Sequence, residues 1–205
     1  MTLRITILLF TIFLFGCGDD PTKQVFINYA EHSREINEAK LYFSEIKPEG
    51  SILYIRFHPE NKIDFSLHQG DYEGENLRNR SKIFDQYGTY KKYDVSLFDN
   101  EVNEAFKVAK LSRAKIQKLK NYLIKGNCIS IAYYSSFSGD DSLGYTSIGY
   151  PTGDLYGINY VIFDNKISDA KSNEIVKSCS FKSINAQVLV EYGGPAFGSN
   201  CFPDK

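Results

Sequence analysis

The cysteines and histidines are the side chains of this chain that could carry nucleophilic or metal chemistry. A catalytic thiol needs a neighbouring base, and the 205-residue chain holds three histidines, at His32, His58 and His68. Cys128 lies in the alternating stretch Asn127-Cys128-Ile129-Ser130-Ile131, which is typical of a strand. We therefore expect Cys128 to be a buried, unreactive thiol, and we expect neither a catalytic residue nor a bound cofactor.

Metal binding has equally few candidate ligands in the sequence. The three histidines are separated along the chain, whereas hydrolytic zinc sites usually draw on several of them. The acidic pair Asp140-Asp141 lies in a Ser/Gly turn and could supply oxygen ligands to calcium, but it lacks the ordered spacing of a calcium-binding loop. The sequence also contains no phosphate-binding glycine loop, nucleophile elbow or paired-cysteine motif. We expect no metal site.

The most distinctive stretch of the chain is aromatic. Between residues 133 and 160, tyrosines alternate with glycines. Segments rich in tyrosine, serine and glycine suit recognition, because tyrosine provides a large contact area at low entropic cost. The alternative is a half-exposed sheet, where β propensity alone favours tyrosine. The candidate partner-binding residues are Tyr133, Tyr134, Tyr145, Tyr150, Tyr156 and Tyr160.

The amino terminus has the pattern of an exported protein. Residues 1–16 contain one basic residue, Arg4, an almost entirely apolar run, and a small residue, Gly16, ahead of Cys17. This order is typical of a secretory signal peptide, and the run is shorter than the about 20 apolar residues of a transmembrane helix. The segment Leu14-Phe15-Gly16-Cys17 resembles the lipobox of bacterial lipoproteins.

The resemblance implies cleavage after Gly16 and acylation of Cys17, and the acyl chains would hold the protein on a membrane. A glycine rather than an acidic residue follows the cysteine, which favours the outer membrane over the inner one. The acidic Asp19-Asp20 tail leaves the sorting open. We expect a signal peptide over 1–16, an acylated tether over 17–22 and a single globular domain over 23–205.

Export also bears on the remaining cysteines, because the periplasm and the cell surface are oxidising. Cys128, Cys179 and Cys201 allow one disulfide and one free thiol. We predict a disulfide between Cys179 and Cys201, since this pair would tie the carboxy-terminal tail to the domain.

Helical patterns occur in two places. Apolar residues recur every three or four positions from Val25 to Ile46, which predicts a long amino-terminal amphipathic helix that ends before Pro48. Ser112 can cap a second helix near 112–125. Its core face would be formed by Ile116, Leu119 and Leu123. The lysines of this second helix are interpreted as a solvated face, with anionic lipid headgroups as the alternative contact.

Alternating patterns predict strands along the rest of the chain. Residues 52–68 form a hairpin in which Phe57 lies opposite Ile63, because this register puts the apolar residues on one face. The same register sets Arg56 opposite Asp64 on the wet face. Further strands are predicted at 90–97, 104–111, 128–135, 145–150, 156–163 and 186–192. The result is an α+β fold with a mostly antiparallel sheet.

Composition and charge narrow the function further. Lys and Arg number 24 against 25 Asp and Glu, which argues against nucleic acid as a partner. We predict a membrane-anchored envelope lipoprotein that acts as a non-catalytic binding module for a protein partner, a toxin or an envelope protein. An immunity or inhibitor protein is one subclass of this prediction, by analogy. The alternatives are an envelope hydrolase acting on cell-wall or lipid substrates and a structural accessory of an outer-membrane assembly.

Overall fold

Residues 20–69, 88–152, 157–193 and 201–203 are described by the structure, a computed structural model. Within these ranges the chain is an α+β fold with an antiparallel sheet, as predicted. The helices are α1 (Pro21–Ile46), α2 (Asn100–Val108), α3 (Arg113–Lys125) and α4 (Asp169–Val176). The strands are β1 (Ser51–Phe57), β2 (Lys62–Gln69), β3 (Thr89–Ser96), β4 (Ser130–Tyr134), β5 (Tyr145–Tyr150), β6 (Gly157–Phe163), β7 (Phe181–Asn185) and β8 (Val188–Gly193). They form one eight-stranded sheet in the order β3-β2-β1-β4-β5-β6-β8-β7.

The β1–β2 hairpin has the predicted register. Phe57 pairs with Ile63, and Arg56 pairs with Asp64. Burial alternates along β1, so that every second side chain enters the core. The hairpin therefore presents its apolar residues to one face of the sheet and its polar residues to the other.

The amino-terminal helical segment begins at Pro21, inside the stretch 17–22 that the sequence assigns to a tether. Asp20 caps it, because its Oδ1 accepts a hydrogen bond from the backbone N–H of Thr22 at 2.9 Å. The backbone of His32 is non-helical, with φ −120° and ψ 16°. The prediction of one continuous long helix is therefore not confirmed, although the positions of the apolar stripe from Val25 to Ile46 are buried with the exception of half-buried His32.

Helix α3 follows its predicted pattern. Ser112 accepts a hydrogen bond from the backbone N–H of Lys115 at 3.2 Å, and the helix ends at the cap residue Gly126. Its buried residues are Ile116, Leu119 and Leu123.

The strand predicted at 104–111 is wrong, because helix α2 occupies most of this range. Val102, Ala105, Phe106 and Ala109 are buried at helical spacing, and that period prevails over the short apolar run. Strand β7 was not predicted, since its side chains are all half-buried or exposed and do not show a buried alternation.

The two faces of the sheet carry different layers. Helices α1, α2 and α3 contribute to one apolar cluster with the inward residues of the strands, among them Leu53 and Phe65. We call the opposite side the far face. There a smaller cluster that includes Val161, Phe163 and Ile175 of α4 covers the end of the sheet at β6, β7 and β8. Of the described helices, α4 is the one that packs on the far face.

Candidate functional site

A line of polar residues crosses the far face of the sheet. Each member is the register partner of the next, from β2 through β1, β4, β5 and β6 to β8. We call this line the polar row; it consists of Asp64, Arg56, Ser130, Gly149, Asn159 and Glu191. The row is continuous because the antiparallel pairings place these positions side by side.

The polar row has opposite charges towards its two ends. Arg56 and Glu191 are separated by four strand spacings, about 19 Å. Asp64 is engaged by His58, whose Nε2 lies 2.9 Å from Asp64 Oδ1. Within the described ranges, neither Arg56 nor Glu191 has an ion-pair partner within 4 Å, although Asp64 is the cross-strand register partner of Arg56.

Glu191 is the most perturbed carboxylate of the row. Burial raises the pKa of Glu191 above the usual range of a glutamate, and a hydrogen bond from Asn159 opposes that rise. The negative charge of Glu191 also helps to raise the pKa of tyrosine hydroxyls on the same face. The pKa of the Tyr134 hydroxyl is raised by burial first, then by the charge of Glu191 and by Tyr54.

Aromatic rings lie on the far face four residues along β4 and β5 from the polar row. Tyr134 and Tyr145 stack with ring centroids 5.0 Å apart and an interplanar angle of 18°. Tyr145 also contacts Phe137 edge to face at 5.4 Å, so the pair forms the boundary between the row and the α4 cluster. On β1, burial raises the pKa of the Tyr54 hydroxyl, and the nearby guanidinium of Arg56 opposes that rise.

The middle of the row has almost no side chain. A Cβ atom on Gly149 would overlap Ser130 Oγ, so a larger residue there would require the serine hydroxyl to move. Next to Asn159 and Glu191, the paired Gly157 and Gly193 contribute no side chains to the far face. We call this stretch of small residues the trough, and charged groups lie towards the two ends of the row.

The predicted partner-binding tyrosines separate into different environments. Tyr134 and Tyr145 are together on the far face, whereas Tyr156 lies outside the described residues. Tyr160 is fully buried beneath α1, where its hydroxyl donates to Val25 O at 2.8 Å. Tyr150 packs against the helix-covered core.

Tyr133 belongs to a separate polar contact on the helix-covered side. The Lys47 ammonium lies 3.8 Å from the centre of its ring, and its hydroxyl donates to Asp164 Oδ2 at 3.2 Å. The buried Lys40 donates to Phe163 O at 2.8 Å and lies 3.4 Å from Asp164 Oδ1. This contact attaches α1 to the β5–β6 end of the sheet.

Both cysteine expectations can be compared with the structure. Cys179 and Cys201 are at disulfide distance, with Cα atoms 4.6 Å apart, as predicted. Cys128 is free and buried, its thiol donates to Gly126 O at 3.2 Å, and burial raises its pKa to about 12. A thiol with this pKa is protonated near neutral pH and is a poor nucleophile.

The remaining candidate ligands are engaged in local structure. Asp140 accepts hydrogen bonds from Ser142 N and Ser142 Oγ, at 3.1 and 2.6 Å, which closes a turn and lowers the pKa of Asp140. His68 Nδ1 lies 2.8 Å from Thr89 Oγ1. Across the described part of the chain, no three His, Cys, Asp or Glu side chains group as metal ligands. No helix in those ranges is long and apolar enough to span a bilayer.

Comparisons with known proteins give no relative: no family model, no curated protein and no solved structure matches the chain. The site therefore has to be argued from its own residues. Sequence reasoning missed Ser130, Asn159 and Glu191 as a group, because their proximity depends on the registers among four strands. One local signal was available, since Glu191 interrupts the apolar run that begins at Val188.

Proposed function

We propose that this protein is a lipid-anchored binding module of the bacterial envelope, and that it takes a protein partner on the polar row. A toxin or another envelope protein is the partner class, so an immunity or inhibitor role is included. The observation that carries the proposal is the polar row itself, with Arg56 and Glu191 towards its ends and stacked tyrosines on the same face of the sheet.

These features favour recognition over catalysis. Half-buried charges without partners are costly in isolation and become favourable when a complementary surface supplies the missing charge. Aromatic residues and arginine are the side chains that contribute most at protein interfaces. The far face offers both kinds of side chain: the aromatic rings of Tyr134 and Tyr145, and the guanidinium of Arg56.

The distance between the carboxylates of the row argues against the glycosidase form of a hydrolase. Asp64 and Glu191 are five strand spacings apart, about 24 Å. Paired carboxylates that hydrolyse glycosidic bonds work about 5 to 10 Å apart. Asp64 is therefore too distant to serve as the catalytic partner of Glu191.

The anchor part of the proposal rests on the lipobox resemblance at Cys17. Helix α1 begins at Pro21, so an acylated Cys17 would hold the start of the helix within about 14 Å of the lipid surface. In this proposal α1 serves as the amphipathic helix that joins the anchor to the domain. Its buried Val25, Tyr29 and Ile36 support that role, because they fix the helix on the sheet.

Site-specific photocrosslinking in living cells tests the binding surface. We place benzoylphenylalanine at Tyr54, beside the row, and as a control at Leu41, which is 69% exposed on α1. We expect a covalent adduct with one defined envelope protein or toxin from position 54 and none from position 41. An adduct from position 41 alone would contradict the proposed surface.

Fractionation tests the anchor. Cys17→Ser should remain unprocessed or leave the membrane fraction, and it should lose incorporation of labelled palmitate, because the thiol is the acyl acceptor in the lipoprotein resemblance. Cys128→Ser is the matched control and should fractionate like wild type. If Cys17→Ser is labelled and membrane-bound like wild type, the lipoprotein proposal is wrong.

A further inference from the structure

We propose that the Glu191 end of the polar row is a subsite for a basic side chain, lysine or arginine, of the protein partner. This inference rests on the proposed binding function and specifies the chemistry of the partner. It is argued from the charge, the space and the neighbours of Glu191.

The first argument is the missing countercharge. Glu191 is half-buried and receives a side-chain hydrogen bond from Asn159, yet no described basic residue lies within ion-pair distance. The basic residues nearest in the sheet are directed elsewhere. Lys182 is the register partner of Val190, which places it on the helix-covered face, where its Nζ lies 4.7 Å from the Phe202 ring centre. Lys40 is engaged by Asp164 and Phe163 O.

The second argument is the space beside the carboxylate. Gly157 and Gly193 form the pair next to Asn159 and Glu191 on the same face of the sheet, and neither supplies a side chain. A Cβ on Gly157 would meet Gly193 O at 3.5 Å and Asn159 Nδ2 at 3.8 Å, which are ordinary contacts. The backbone at Gly157 therefore leaves room for an added group next to Asn159.

The third argument is the chemistry of the surrounding groups. Asn159 offers a carbonyl oxygen and Glu191 two carboxylate oxygens, and all three accept hydrogen bonds from an ammonium or a guanidinium. The charge of Glu191 also contributes to the raised pKa of the Tyr134 and Tyr145 hydroxyls, after the effect of burial.

The length of the row favours a polypeptide over a small cation. Arg56 lies about 19 Å from Glu191 along the row. An extended peptide covers that distance in about six residues. A segment with a basic side chain at Glu191 and an acidic one at Arg56 would pair with the charges of both residues. Its backbone would then lie above Ser130 and Gly149.

Nuclear magnetic resonance of the full-length protein in detergent micelles tests the subsite. The probes are N-acetyl-arginine amide and its neutral isostere N-acetyl-citrulline amide, with the side-chain carboxyl carbon of Glu191 as the reporter. The titratable groups that act on this carboxylate include Tyr134 and Tyr145, which stay protonated through the acidic range. We expect saturable binding of the arginine probe and a lower pKa of Glu191 in its presence, because the cation stabilises the carboxylate.

The matched controls separate charge from shape. The citrulline probe should bind at least tenfold more weakly, and Glu191→Gln should abolish binding of the arginine probe. Glu31→Gln, at an exposed position of α1, is the matched control and should leave that binding unchanged. Equal affinity for both probes, or no saturable response, would overturn the subsite. A response of Glu191 to chito-oligosaccharide without one to the arginine probe would also overturn it, in favour of a glycan ligand.

The crosslinking experiment distinguishes this inference from the proposed function. If position 54 still forms its adduct while the arginine probe fails to bind, the binding module stands and the basic-side-chain subsite is wrong. If neither experiment succeeds, both proposals are wrong.

Discussion

Two kinds of tyrosine share the segment from 133 to 160, and the environment of each hydroxyl separates them. Tyr160 donates to Val25 O and accepts from Asn28 Nδ2, at 2.8 and 2.9 Å, in a buried network under α1. Asn28 also donates to Gly126 O at 3.1 Å, which connects α1 to the end of α3. Tyr160 is therefore a structural residue, whereas Tyr134 lies half-buried on the far face, on the side of the sheet that we propose binds a partner.

Removal of the Tyr160 hydroxyl should destabilise the fold. Tyr160→Phe leaves Val25 O and the Asn28 amide without their buried partner, which we expect to lower the free energy of unfolding by about 1–3 kcal/mol. Urea denaturation measures the change. The control is Tyr93→Phe, because Tyr93 is 66% exposed, and it should shift the free energy by less than about 0.5 kcal/mol. Equal effects of the two variants would contradict the role given to the buried network.

At the scale of elements, local patterns were predictable where one period dominates. The β1–β2 register follows from alternation alone, and α3 follows from its Ser112 cap and its three apolar residues. Helix α2 was mistaken for a strand because a short apolar run suits either structure. The polar row could not be predicted. Arg56 and Glu191 are 135 positions apart in sequence, and they belong to one row only because of the registers of four strand pairs.

The carboxy-terminal element depends on the Cys179–Cys201 disulfide. Phe202 is fully buried, and its backbone N–H donates to Cys179 O at 2.9 Å. Tyr192 packs on the Phe202 ring with centroids 5.4 Å apart. The crosslink thus holds a core residue in place as well as closing a loop between positions separated by 22 in sequence.

Loss of the disulfide should lower stability measurably. The double variant Cys179→Ser/Cys201→Ser should lose about 3 kcal/mol of unfolding free energy, because the open chain gains entropy when unfolded. Denaturation of the wild type in excess reductant should reproduce that loss and should leave the double variant unchanged. Mass spectrometry of unreduced peptides should find Cys128 unlinked. A linked Cys128–Cys179 peptide would contradict the pairing.

At the scale of the whole molecule, the sheet separates two charged surfaces. Lysines of α3 lie on the helix-covered side, and their ammonium groups are held in local contacts. Lys118 Nζ is 4.5 Å from the centre of the Tyr42 ring, and Lys120 Nζ is 3.3 Å from Asn61 Oδ1. The polar row lies on the far face, so a partner bound there is shielded from these lysines by the sheet.

This separation predicts how partner binding responds to charge. Replacing Lys115, Lys118 and Lys120 with Gln should leave the crosslink from position 54 unchanged at physiological salt, because charges beyond a screening length of about 8 Å act weakly across the sheet. Arg56→Gln and Glu191→Gln should each reduce the yield at least tenfold, since each leaves a partner charge without its complement at a desolvated contact. Circular dichroism of every variant establishes that the fold persists. The opposite ranking, with steep salt dependence, would show that α3 is the binding surface and that an acidic partner or a lipid surface is its target.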